Sequence, residues 1–249
     1  MADEGGPSRW DLNGVEGGAT ASLLIDGVAS SARRHWIASF DDPLVRGFNY
    51  RGYGQPGYKP SDTAQPLETV GLLLAEYFGA ARLAGITLHP GAFSIGGAVL
   101  LAAVEHFGVS ESLTVAPRIL LVAPPLWHTQ TSLSAIEAEY ARDMHARDRG
   151  VSGLLWAAKE ILAPHLGQLQ ATLSAYLGEG GVVTCLDWAD DRISPPAPRN
   201  FGPREWIRRG IDPQNPGVGL GLLDWFADHA QLRGHPTVDV ALGLVPRPG

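Results

Sequence analysis

Cysteine, lysine and long apolar runs are the scarce features of this 249-residue chain. Its one cysteine, Cys185, cannot form an intramolecular disulfide, and it lies within an apolar stretch, so a buried core thiol is expected. Lysine occurs only at Lys59 and Lys159, leaving arginine to carry nearly all the positive charge. With 19 basic against 26 acidic residues, the formal net charge is −7. Binding to nucleic acid needs a clustered basic surface, and the basic pairs Arg33-Arg34 and Arg208-Arg209 are isolated, so no nucleic-acid partner is expected. No apolar stretch reaches the roughly 18 residues required to span a bilayer, so no membrane partner is expected either. The opening residues Met1 to Pro7 are acidic and glycine-rich without an apolar core, which predicts a cytoplasmic protein. No histidine pair has the spacing and carboxylate company of a metal site. Gly217-Val218-Gly219-Leu220-Gly221 lacks the strand–helix setting of a dinucleotide loop, so neither metal nor cofactor is expected.

Hydrophobic residues make up 45% of the chain, enough for one sizeable core, and residues 1–249 read as a single domain. Residues 1–19 are polar and glycine-rich and read as a flexible arm. Ala21–Ile25, Leu44–Tyr50, Ile86–Leu88, Arg118–Val122 and Gly181–Leu186 read as strands, with a sixth apolar segment at Leu220–Phe226. The third is expected to stop before Pro90, because proline cannot donate to a central ladder. Helical patterns fall at Ser30–Phe40, Leu67–Leu83, Ala98–Phe107 and Val238–Leu244. Ser132–Leu177 also reads as helical, with breaks near Gly150 and Pro164, whereas Pro195–Pro216 reads as loop. Strands alternating with helices imply an α/β protein with a largely parallel sheet of about six strands, flanked by helices on both faces. Ligands bind beyond the carboxyl ends of such strands.

At one of those ends stands Ala92-Phe93-Ser94-Ile95-Gly96-Gly97, followed directly by the apolar run Ala98 to Val104. A serine on a sharp strand-to-helix turn, with small residues on either side, nearly matches the nucleophile elbow G-x-S-x-G. Ala92 takes the place of the first glycine, where small size is the requirement. Further stretches fall in order around it. Asp26-Gly27-Val28 follows the first strand, and Asn49-Tyr50-Arg51-Gly52-Tyr53-Gly54 follows the second. Trp188-Ala189-Asp190-Asp191-Arg192-Ile193-Ser194-Pro195 follows the fifth, and Ala227-Asp228-His229 and Gly234-His235-Pro236 come last.

In that order the chain resembles the α/β-hydrolase family over roughly residues 20 to 245. The resemblance implies a serine nucleophile at Ser94, a general base at His229 and an orienting acid at Asp191. It also implies an oxyanion hole formed by the backbone N–H groups of Ile95 and Val28. His235 is the alternative base and Asp190 the alternative acid. Asp26 stands where the family usually has histidine, and it is the alternative catalytic group for lyase, cyclase or acyl-transfer chemistry. His89 reads as a core histidine or one supporting the site, whereas His35, His106, His128, His145 and His165 read as surface residues. Residues 126–178 are expected to form a small helical cap, with Trp127, Leu154, Leu155 and Trp156 as candidate lining. The implied activity is cleavage of a carboxylic ester or thioester through a Ser94 acyl-enzyme, on a small molecule with a hydrophobic acyl chain or ring. A non-catalytic binding protein on the same fold is the remaining alternative.

Overall fold

The computed structural model describes residues 12, 15–27, 44–48, 66–142, 162–188, 191–196 and 206–209. The chain enters the sheet with β1 (Thr20–Ile25), whose last five residues are buried, and continues to β2 (Val45–Phe48). Helix α1 (Leu67–Leu83) has the limits its apolar spacing predicts, with Val70, Leu74, Tyr77, Phe78 and Ala81 turned inward. Next come β3 (Thr87–Phe93), α2 (Ile95–Phe107), α3 (Val109–Val115) and β4 (Arg118–Val122). Beyond β4 lie α4 (Gln130–Arg142), a 3-10 turn (Ala163–His165) and α5 (Leu166–Gly178). The described chain closes with β5 (Val182–Trp188) and β6 (Trp206–Arg209). Among the described residues the six strands are all parallel, in the order β2-β1-β3-β4-β5-β6.

That order contains one reversal. The chain steps outward from β1 to β2, then crosses back and builds the rest of the sheet from the other side of β1. The switch point therefore lies between β1 and β3, where the connections diverge and open a crevice at the strands' carboxyl ends.

Helix α2 fills the space behind that crevice. Every residue from Ile95 to Val104 is buried, as a helix that is apolar all round must be. It packs closely on α1 because Gly71 has no side chain: a Cβ there would lie 2.7 Å from the Ala102 Cβ. Leu169, Leu173 and Tyr176 of α5 join the same core, and the Tyr176 hydroxyl donates to the Ala116 carbonyl. So this part of the stretch expected to form a cap lies in the layer flanking the sheet.

Four sequence expectations differ from the structure. Strand β3 continues through Pro90 to Phe93. In a parallel strand successive N–H groups point to opposite neighbours. Thr87 N–H donates to Ala19 of the β1 side and Ser94 N–H to Val122 of β4, so position 90 faces β4. Pairing with β4 begins only at Gly91, so the missing donor of Pro90 falls just before the ladder starts. Strand β5 extends through Asp187 and Trp188, which the sequence reading assigns to the following loop. Strand β6 lies inside the proline-rich stretch expected to be loop, and it offers only Trp206 and Ile207 as apolar signal. Helix α3 falls where no element is expected. The expected helices at Ser30–Phe40 and Val238–Leu244 and the apolar segment Leu220–Phe226 lie outside the described residues.

Candidate active site

Ser94 stands between β3 and α2 with φ 54° and ψ −129°. A side chain rarely adopts a positive φ, and such strain persists only where the surroundings enforce it. The enforcing contacts are visible on both sides of the turn. The Ser94 N–H donates to the Val122 carbonyl at 2.8 Å, which extends the β3–β4 ladder to the serine itself. Its carbonyl accepts the Gly97 N–H at 2.9 Å, which starts the helix immediately. A strand and a helix therefore meet with no intervening residue, and the bend falls on the serine. Ala92 is fully buried between Ile25 and Leu121 of the neighbouring strands.

The glycines explain how close the elbow lies to its neighbours. A Cβ on Gly96 would sit 2.6 Å from the Ile25 carbonyl oxygen and 2.9 Å from that of Asp26. A Cβ on Gly97 would lie 3.1 Å from the Pro124 Cβ. The first turn of α2 is thus wedged between the chain leaving β1 and the chain leaving β4. Ala123, directly after β4, also has positive φ, at 46°, and its N–H donates to Leu186 of β5 at 2.7 Å. Successive strands of the sheet therefore leave their carboxyl ends by sharp bends.

Asp26 and Gly27 complete this rim. A Cβ on Gly27 would lie 2.9 Å from the Ser94 Cβ and 3.1 Å from the Phe93 ring, so the Gly27 backbone lies directly beside the serine. Asp26 is buried, and its Oδ1 accepts the N–H of Gly27 at 2.8 Å. Ile95 is the first residue of α2, so its N–H is one of the four without an acceptor inside the helix. That end of the helix also carries the positive pole of its dipole.

Asp191 is buried in the turn after β5. Its Oδ1 accepts the N–H groups of Ile193 at 2.8 Å and Ser194 at 2.9 Å, an Asx turn that fixes the carboxylate. Strand β5 is two places from β3, roughly 10 Å at ordinary strand spacing, and both residues lie at the carboxyl rim. The structure thus brings Asp26, Gly27, Ser94 and Ile95 into one cluster, with Asp191 on the same edge. Val28, Asp190, His229 and His235 lie outside the described residues.

Two rim residues escaped the sequence reading. His128 is buried rather than on the surface, in the segment after β4. Thr129 and Ser132 cap α4 reciprocally: the Ser132 N–H donates to Thr129 Oγ1, and the Thr129 N–H to Ser132 Oγ. The Ser132 hydroxyl lies 2.9 Å from the Thr129 carbonyl and 3.1 Å from His128 Nδ1, which ties the imidazole to the cap of α4. Asp187, near the end of β5, is 1% exposed, and nothing in its local sequence marks it as buried. Of the remaining histidines, His89 is half-buried within β3. Burial first, and the Arg118 guanidinium second, hold its pKa below the usual 6.5. His165 lies 3.3 Å from Glu68, and His106 is exposed on α2.

No family model matches the chain, and no curated protein matches it. Among solved structures it is similar to Aspergillus fumigatus lipase B, with a TM-score of 0.50 and 14% identity, over 95% of this chain and 60% of that one. It is also similar to phospholipase PlaB from Legionella pneumophila, with a TM-score of 0.46 and 8% identity over 69% of this chain. A third similarity is to MenH from S. aureus, with a TM-score of 0.43 and 14% identity over 92% of this chain and 96% of that one. The chain spans 38% of the length of the PlaB phospholipase.

Proposed function

The chain has the α/β-hydrolase fold, and from that premise we propose that it is a serine hydrolase. It cleaves a carboxylic ester or thioester through a Ser94 acyl-enzyme. The observation that carries this reading is the backbone of Ser94, bent to φ 54° at the switch point of the sheet, with Gly27 beside it and Gly96 wedged against the carbonyls of Ile25 and Asp26. A buried serine needs no such bend for packing. A nucleophile does, because the bend lifts its hydroxyl to the rim and puts the next N–H beside it.

The chemistry then runs in two halves. Ser94 Oγ attacks the acyl carbon while a histidine takes the hydroxyl proton, with His229 the preferred base and His235 its alternative. The N–H groups of Ile95 and Val28 receive the oxyanion, each such donor contributing about 3–4 kcal/mol to the barrier reduction. Asp191 orients the imidazole and stabilises its protonated form. The imidazolium returns its proton to the departing alcohol or thiol, which leaves an acyl-serine. Water, deprotonated by the same imidazole, then releases the carboxylic acid and restores Ser94. The carboxylate of Asp191 is already fixed by two backbone donors, which supports an orienting role. For the substrate we propose a small molecule with a hydrophobic acyl chain or ring.

Labelling with a fluorophosphonate, followed by peptide mapping, tests this directly. The phosphonate is expected on Ser94, and p-nitrophenyl ester or acyl-thioester turnover is expected to vanish in Ser94→Ala. Equal turnover by wild type and Ser94→Ala would refute the reading. Comparing His229→Ala with His235→Ala then identifies the base.

A further inference from the structure

We infer that the amino-terminal end of the sheet carries an anion site, in which Thr20, Thr87, His89 and Arg118 together bind a phosphate group. Strand register places these residues on one face. Thr20 pairs with Thr87 and Ser22 with His89, and residues two apart along a strand share a side of the sheet. On the other side of β3, Gly91 pairs with Leu120, so two places earlier His89 and Arg118 stand next to each other. Towards the strands' carboxyl ends the same face is closed, with Leu24, Phe93, Leu120 and Val122 buried. Its amino end is open, with Thr20 and Arg118 exposed and Thr87 and His89 half-buried. His89 precedes Ser94 by roughly 16 Å along β3, so this site is separate from the elbow and does not rest on the hydrolase reading.

Like charges side by side on neighbouring strands repel, and Arg118 keeps its charge at any working pH. Burial first, and the Arg118 guanidinium second, hold the His89 pKa below 6.5, so the two side chains act on one another. Among the described residues neither Arg118 nor His89 has a hydrogen-bond or ion-pair partner. What this end of the sheet offers is donors: the N–H groups of the guanidinium, an imidazole N–H and two threonine hydroxyls. A phosphate dianion matches that set. Two of its oxygens fit the guanidinium fork, and the others remain for the ring and the hydroxyls. Its two charges balance the guanidinium and a protonated imidazole, whereas a carboxylate leaves one of them unmatched.

The imidazole resonances of His89, assigned by their loss in His89→Gln, report on this site directly. Inorganic phosphate and glycerol phosphate are titrated into the full chain at constant pH and ionic strength, with chloride and acetate as the comparison anions. A saturable shift of the His89 signals is expected with a phosphate, together with binding at least about tenfold weaker in Arg118→Gln. Ser94→Ala is expected to bind as the wild type does. Tighter binding of glycerol phosphate identifies a phosphorylated small molecule as the ligand, and tighter binding of inorganic phosphate the free ion; either upholds the site. No saturable shift with either phosphate would overturn the inference, as would an equal shift with chloride or acetate. Wild-type affinity in Arg118→Gln would overturn it too. Should Arg118→Gln not fold, the contrast between phosphate and acetate at the His89 ring of the wild type decides alone.

Discussion

Gly96 shows how little room a single residue has at this site. Its φ is not positive, so the backbone itself would accept a side chain, and only the neighbouring carbonyls of Ile25 and Asp26 forbid one. A methyl group there must push α2 away from β1 or bend the elbow. Gly96→Ala is therefore expected to cost about 1–3 kcal/mol, measured by urea unfolding. Phosphonate labelling of Ser94 should fall more steeply than stability does, because the displaced turn carries the Ile95 donor. Unchanged labelling in a destabilised variant would show that the wedge serves packing alone. Ser94, Gly96 and Ile95 were readable as a motif, since spacing and residue type carry it. The contact of Gly27 with Ser94 was not, because 66 intervening residues lie between them and only the sheet order brings them together.

At the scale of the element, β3 decides the geometry of the site. It is central, flanked by β1 and β4, and it tolerates a proline because position 90 faces the one neighbour whose ladder has not yet begun. Pro90→Ala is expected to change stability by less than about 1 kcal/mol. It can add a bond only at the frayed start of β4, and it loosens the unfolded chain by a similar amount. A loss above about 2 kcal/mol would show that the proline itself braces the strand before the elbow. Strand β6 illustrates the opposite limit of legibility. Four residues with two arginines carry no alternation, and their pairing with Cys185 to Trp188 is what makes them a strand.

For the whole molecule, His89 is one point at which protonation couples to folding. Its folded pKa lies below the unfolded 6.5, so the unfolded chain binds more protons in the interval between them. The neutral ring's contribution is complete above pH 6.5 and is lost as pH falls below that value. His89→Gln should flatten this part of the stability profile. Urea midpoints at pH 8 and pH 5.5 should differ less in the variant than in the wild type. An equal difference in both proteins would place the acid sensitivity elsewhere.

Local order along the chain determined a good deal. The limits of α1, the position of β4 and the serine between strand and helix follow from periodicity and from small residues at the turn, which act over a few neighbours. Tertiary structure alone decided that β1 and β3 adjoin at the switch point, that Asp26 and Gly27 close on Ser94, that His128 is buried, and that Pro90 is harmless. Each of these depends on which strand lies beside which and where its ladder begins. Those are relations between residues far apart in sequence, and a sequence pattern carries no record of them.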